Sequence, residues 1–264
     1  MNGVTLITCT GGRPESLARC AQYVARFENP DNVPVQWIVV DDVSELGLGS
    51  CPFPKTAHGR LSVQYLNLGR IWRPGMNTLA MNLLAALPHV KHDAVLFVED
   101  DDVYKPDYMR LQLARLEHHE LVGEAVSWYY HLPSRCWRVL RNANHASLCQ
   151  TAMRSSMLPA LELLCRKSNT SFIDWNLWGM FPSRTRQMSH GEPSVVGMKG
   201  LPGRPGIGIG HRPDLGAGWD SDPDHAKLRE WLGTDAEAYV GPETSPEARD
   251  NRATARSGAS AGRI

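Results

Sequence analysis

Apolar residues fall along this chain in short runs, and several runs stop abruptly at polar or acidic residues. VTLITC (Val4 to Cys9), VQWIVV (Val35 to Val40), LSVQYL (Leu61 to Leu66) and DAVLFV (Asp93 to Val98) are rich in β-branched residues and too short for helices. Each predicts a strand. Between them the period changes. A turn at Gly11 and Gly12 leads to Pro14, and Leu17, Cys20, Ala21 and Val24 then recur at helical spacing. PGMNTLAMNLLAAL carries Leu79, Asn82, Leu83 and Ala86 on one stripe, and Pro106 opens a third helical stretch, PDYMRLQLARLEHH. EAVSWYYHL reads as a further strand, and SSMLPALELLC and SFIDWNLWGMF read as helices or helical turns. Six glycines between Gly197 and Gly210 predict a loop. Beyond about Gly241 almost nothing can be buried, which predicts a disordered tail over 241–264.

Strands alternating with helices predict β-α-β units around a mostly parallel sheet, with helices on both faces. Ligands of such sheets collect beyond the carboxyl ends of the strands. Three strands end there in polar sets: Thr8 to Gly12, Asp41 with Asp42, and Glu99 to Asp102. Four adjacent carboxylates repel one another unless positive charge joins them. A hard divalent cation, Mg²⁺ or Mn²⁺, supplies that charge and prefers oxygen ligands. A solvated acidic loop, or acids drawn to a helix N-terminus, is the plainer reading.

Composition narrows the classes. Lys plus Arg and Asp plus Glu both number 28 in 264 residues, which argues against a wholly basic nucleic-acid binder. No run approaches the roughly 20 apolar residues of a membrane span. MNGVTLITC reads as a strand rather than a signal peptide. The six cysteines lack CxxC spacing and several sit in apolar patterns, so they read as reduced core residues of a cytoplasmic protein, in the host cytoplasm if the chain is phage-encoded.

In order and spacing, VTLITCTGGRPESLARC, WIVVDDVS and VLFVEDDDVYKPDYM resemble the three donor-site segments of the family 2 glycosyltransferases, which have the GT-A fold. The resemblance covers residues 3–110 and continues more loosely to about 215. It implies a single GT-A domain over 1–240, with a Rossmann-like nucleotide-sugar-binding half (1–110) and an acceptor half (111–240). It further implies that Thr8, Cys9 and Thr10 border the nucleotide, that Asp42 with Asp41 bonds the base, and that Asp100 approaches the ribose. Asp101, with Asp102 as second ligand, would hold Mn²⁺ or Mg²⁺ on the donor diphosphate, the run of four acids leaving the register open by one residue. Arg13 and Arg70 suit diphosphate contacts by charge, with a plain surface arginine as the alternative for each and the favoured one for Arg13, and a UDP-sugar is the implied donor.

For the second half, the resemblance implies a base at the start of a helix. Asp174 in FIDWNLWGMF stands in that context, with a helix cap as the alternative. A C-terminal His often reaches the metal in GT-A enzymes, and His211 of GHRP is the candidate. His145, Ser147 and Gln150 fall in the segment that lines the acceptor side, although each reads as readily as a structural hydrogen-bonding residue. Trp128 to Tyr130 suit stacking or core packing alike. Arg184, Arg186, Lys199, Arg204 and Arg212 form a basic stretch suited to a diphosphate or to a nucleic-acid backbone. The reading is an inverting metal-dependent glycosyltransferase. Its leading acceptor is a hydroxymethylated base in DNA, as in compact phage-type enzymes. The alternatives are a polysaccharide, lipid-linked or small-molecule acceptor, a nucleotidyltransferase, and a sugar-binding module.

Overall fold

The structure is a computed structural model that describes residues 1–43, 60–167, 172–206, 211, 213 and 218–240. The expected disordered tail, the end of the glycine loop and Arg212 lie outside the described residues. The strands are β1 (Val4–Thr10), β2 (Val35–Asp41), β3 (Leu61–Asn67), β4 (Ala94–Phe97), β5 (Val103–Tyr104), β6 (Leu121–Glu124), β7 (Val126–His131), β8 (Cys136–Arg141), β9 (Thr151–Arg154), β10 (Arg186–Ser189), β11 (Val195–Lys199) and β12 (Asp220–Ser221). The helices are α1 (Pro14–Ala25), α2 (Leu79–Ala86), α3 (Tyr108–Leu116), α4 (Leu158–Arg166), α5 (Ile173–Gly179), α6 (Ala226–Leu232) and α7 (Glu237–Val240). They divide between two compact units, Met1–Ser221 and a second beginning at Asp222.

In the first unit, a seven-stranded sheet runs β10-β6-β9-β4-β1-β2-β3. β4, β1, β2 and β3 pair in parallel, as do β6 and β10, while β9 runs antiparallel between β4 and β6. The period of two sends alternate residues to opposite faces, and both faces are buried. Ile7, Ile38, Val40, Val95 and Phe97 pack with Leu83, Leu161 and Trp178 from α2, α4 and α5. On the other face Leu6, Val24 of α1 and Met109 of α3 line one small cavity. Each fully buried side chain of this kind contributes about 1.5–3 kcal/mol. The result is a mixed α/β fold built on a central sheet.

A second sheet, β12-β8-β7-β11-β5, adjoins the first and was not expected from the sequence. Two corrections follow. The stretch read as one strand from Glu124 is two: the chain leaves the first sheet after Glu124 and enters the second at Val126. The glycine loop begins at Gly200 rather than Gly197, because Val195–Lys199 is β11. Gly197 pairs with Tyr129 of β7, and a Cβ there would collide with the Tyr129 ring. That glycine permits a close approach within a sheet, a use its loop-like surroundings disguise. α2 also starts later than expected, at Leu79, after a turn through Gly75 at φ +86°.

In the second unit, Asp222 accepts the backbone N–H groups of Lys227 and Leu228 at 3.0 and 3.1 Å, which caps the first turn of α6.

Candidate active site

Parallel pairing sets Thr10 level with Asp41, and Ile7 level with Phe97. The chain after β4 therefore emerges beside the end of β1, carrying Glu99 to Asp102 with it. Asp100 accepts the Thr10 hydroxyl at 2.6 Å and Arg13 Nη2 at 2.5 Å. Arg13 Nη1 donates to Asp101. Asp102 turns the other way and accepts the Met198 N–H at 3.1 Å and Lys199 Nζ at 3.2 Å from β11. Asp100, Asp101 and Asp102 are all buried.

Crowding and burial set the charges. Burial, helped by its acidic neighbours, pushes the Glu99 carboxyl well above its ordinary range. Burial lifts Asp100 to about 6 against the pull of Arg13, and raises Asp102 against that of Lys199. At Asp101 burial also works upward, but Arg13, Lys199 and His211 outweigh it and hold the group low. His211 is lowered to about 4 by burial and by Lys199, so its imidazole is neutral near pH 7.

These residues fit a hard divalent cation. Four carboxylates face two cations, Arg13 and Lys199. Asp102 Oδ2 is buried without a well-formed hydrogen bond. Glu99, Asp102 and Cys149 offer ligand atoms within 4.8 Å of one another. Burial raises the Cys149 thiol strongly, which keeps it protonated, so the oxygens are the useful donors.

Beside the acidic run opens a cavity of about 540 Å³. Ile7, Leu79, Leu83, Phe97, Leu148 and Ile173 form its apolar wall. Glu99, Asp100, Asp101, Arg13, Lys199, Arg204 and His211 line one polar side, and Tyr129, Arg138, Asn142, His145, Ser147 and Asp174 also reach it. The Asp174 carboxyl is raised by burial, partly offset by the Trp175 N–H it accepts at 2.8 Å and by His145. Trp175, 62% exposed, stacks on His145 with ring centroids 5.7 Å apart.

A crowded acidic strand end, facing a carboxylate across one cavity on this sheet order, invites comparison with known proteins. The profile of the family described as Glycosyltransferase like family 2 matches residues 2–178. The chain belongs to this family. Among solved structures it is similar to S. aureus TarS 1-349, with a TM-score of 0.52 and 14% identity over 74% of this chain and 60% of that one. The complexes of TarS 1-349 with UDP (TM-score 0.51, 13% identity, 74% of this chain, 60% of that one) and with UDP-GlcNAc (0.52, 14%, 75%, 59%) are similar as well. The chain thus spans about 60% of the length of these structures. At such identity the likeness is one of fold, and that fold is GT-A. No curated protein sequence matches the chain.

Within this family member, the residues singled out from sequence take different places. Cys9, Arg13, Asp100, Asp101, Asp174 and His211 line the cavity. Thr10 holds Asp100, whereas Thr8 is fully buried and accepts the Trp37 indole N–H at 2.9 Å. Asp41 accepts the Tyr65 hydroxyl and the Val43 N–H. Asp42 is fully buried and accepts Thr78, Asn82 at 2.9 Å, and Arg204 through both oxygens at 2.9 Å. Arg204 also lies over the Trp72 ring, 5.1 Å from its centroid. Arg70 is exposed and lines neither this cavity nor the neighbouring one that shares Arg13, Asp101 and His211. Gln150 is a buried structural residue, bonding Glu124, Val126 and Ser127.

The basic stretch does not act as one face. Lys199 turns in to Asp102 and Arg204 to Asp42, while Arg186 donates to the Trp178 and Asn144 carbonyls. Sequence reasoning did not assign Lys199 as counter-ion to the acidic run, nor Thr78 as a partner of Asp42. The available signal for Lys199 was a single lysine ending the buried run VVGMK, where an unpaired charge would be costly.

Proposed function

We propose that the enzyme transfers a sugar from a UDP-sugar to an acceptor hydroxyl with inversion, and that Asp174 is the base. The observation that carries this reading is Asp174 itself, a carboxylate raised by burial in the same cavity as the acidic run. Asp174 takes the acceptor proton as that oxygen attacks the anomeric carbon, and the bond to the diphosphate breaks with its electron pair leaving on the phosphate oxygen. Asp101 and His211, which line the cavity, would hold Mn²⁺ or Mg²⁺, joined by Asp102 if it turned from Lys199, and the ion would supply charge for the leaving diphosphate. Lys199 and Arg13 line the same cavity and would offset that charge directly. UDP as the nucleotide rests on the complexes of TarS, whose fold this chain shares.

For the acceptor, the charge distribution favours a glycan, lipid-linked or small-molecule hydroxyl, since the basic stretch is largely spent on internal partners. One observation supports a hydroxymethylated DNA base as the second reading: the apolar cavity wall of Leu79, Leu83, Phe97 and Ile173 suits a planar ring lifted from its stack. We place the enzyme in the cytoplasm because Cys9, Cys20, Cys136, Cys149 and Cys165 are all free thiols. Among the described residues no helix is long and apolar enough to cross a membrane.

The test is transfer by wild type and Asp174→Asn with a UDP-sugar panel, against glycan acceptors and hydroxymethylated duplex DNA. Donor binding should survive in the variant while transfer falls about 10²–10⁴-fold. A product with retained anomeric configuration, or an unchanged rate, rules out Asp174 as the base of an inverting reaction.

A further inference from the structure

The acidic run and its counter-ions do not balance, and one of the counter-ions is bonded to Asp101, a carboxylate that the proposed metal site would use. Arg13 is clamped in place: Nη2 on Asp100, Nη1 on Asp101, with 12% of its side chain exposed. The Gly200–Gly206 segment presses on it from outside. Gly203, at φ +98°, comes so close that an added Cβ would lie 2.5 Å from the Gly12 carbonyl oxygen and 3.0 Å from Arg13 Cγ. Lys199 makes its direct ion pair at the other end of the run, with Asp102. With both cations in place, four carboxylates still face two positive charges, and Asp102 Oδ2 keeps no well-formed hydrogen bond.

A divalent cation would complete this balance, yet its approach to Asp101 meets a guanidinium already bonded there. Two positive groups at one carboxylate repel, so one must leave or weaken. A guanidinium has an alternative destination, because its fork matches phosphate oxygens as well as carboxylates.

We propose that Arg13 is the resident counter-ion of the cation site, competing with divalent metal for Asp101 until a nucleotide diphosphate draws its guanidinium away. This rests on the metal-dependent reading above and adds to it a specific residue that keeps metal affinity low in the nucleotide-free enzyme. By reciprocity, a nucleotide that takes up Arg13 strengthens metal binding, and metal strengthens nucleotide binding by the same factor.

The experiment is direct Mn²⁺ binding to the full chain, followed by the loss of the free-ion electron paramagnetic signal and by calorimetry. It compares wild type, Arg13→Gln and Arg13→Lys, each with and without UDP. Without UDP, Arg13→Gln should bind Mn²⁺ at least about tenfold more tightly than wild type, within the usual range of coupling between sites. Arg13→Lys keeps the charge and should stay near wild type. UDP should strengthen Mn²⁺ binding to wild type more than to Arg13→Gln. Because removing Arg13 leaves the carboxylates crowded, Arg13→Gln should also melt at a lower temperature, with Mn²⁺ raising its Tm more than that of wild type. If UDP promotes Mn²⁺ binding in wild type but Arg13→Gln gains nothing, the role of Arg13 is wrong and the metal reading stands. If no protein binds Mn²⁺ under any condition, both fall.

Discussion

Lys199 Nζ lies 3.2 Å from Asp102 Oδ1, and this pair joins the last residue of β11 in the second sheet to the acidic run that follows β4 in the first. Lys199 also lies over the Tyr129 ring, 5.2 Å from its centroid. Burial opposes the ammonium charge, but Asp102, Asp101 and Glu99 outweigh it and raise Lys199 well above its ordinary range, so it stays charged.

Replacing Lys199 with Met should therefore destabilise the fold by about 3–5 kcal/mol, the cost of leaving one partner of a buried pair uncompensated. Urea unfolding of Lys199→Met, Asp102→Asn and the double variant would measure it. The double variant should cost less than the sum of the two single ones. Strict additivity would mean that the pair does not act as a unit.

The proposed role of Asp174 as base makes a claim about pH. A base works deprotonated, and burial raises this carboxyl. The rate should therefore rise with pH through a limb above the ordinary carboxylate value of about 3.9, and level off beyond it. The profile of kcat/KM should show that limb in wild type and lose it in Asp174→Asn. A limb that survives the substitution belongs to another group.

Asp42 holds Arg204 through both carboxylate oxygens, and Thr78 accepts Arg204 Nη2 at 2.7 Å. Arg204→Ala leaves Asp42 fully buried with only Thr78 and Asn82 as its remaining side-chain partners, at a cost of about 3 kcal/mol. It should also free the Gly200–Gly206 segment, so limited proteolysis there should speed up relative to wild type. Equal cleavage rates would show that the segment is held by other contacts.

Gly197→Ala places a methyl against the Tyr129 ring across the β7–β11 pairing. Overpacking of this kind costs about 1–3 kcal/mol. Chemical denaturation of Gly197→Ala, alone and combined with Tyr129→Ala, should show the second change relieving part of the first. A neutral single variant would mean that the ring moves aside freely.

The β1 to β4 part of this fold is legible in sequence because its signals are local. β1, β2 and β4 are continuous apolar runs closed by polar residues, and Pro14 stands at the first position of α1 as it does in the linear reading. Those signals place Asp100, Asp101 and Arg13 together. What they do not carry is the direction in which a carboxylate points. Asp42 looks like a ligand-facing residue at a strand end, yet its bidentate partner Arg204 lies 162 positions further along. The second sheet escapes for a related reason. β7 reads as a strand, but β11 is interrupted by Gly197, and β8, with Val139 37% exposed, shows little continuous apolar character. Short antiparallel β9, four residues long, carries no periodicity from which it could be read.

That same β9 has a consequence for how the molecule is made. Leu96 pairs with Ala152, and Ala94 with Arg154, so the strand that shields β4 is synthesised more than fifty residues after it. Until then the nascent sheet β4-β1-β2-β3 ends in a bare, wholly apolar edge, the kind of edge that recruits other chains. A fragment ending near residue 110 would keep every carboxylate of the acidic run and still lack the strand that closes its sheet. Such a fragment should precipitate or pair with itself when expressed alone. Residues 1–110 are thus a region of the fold and not a detachable cassette, and a chimera that respects this architecture must exchange the chain through at least Arg154.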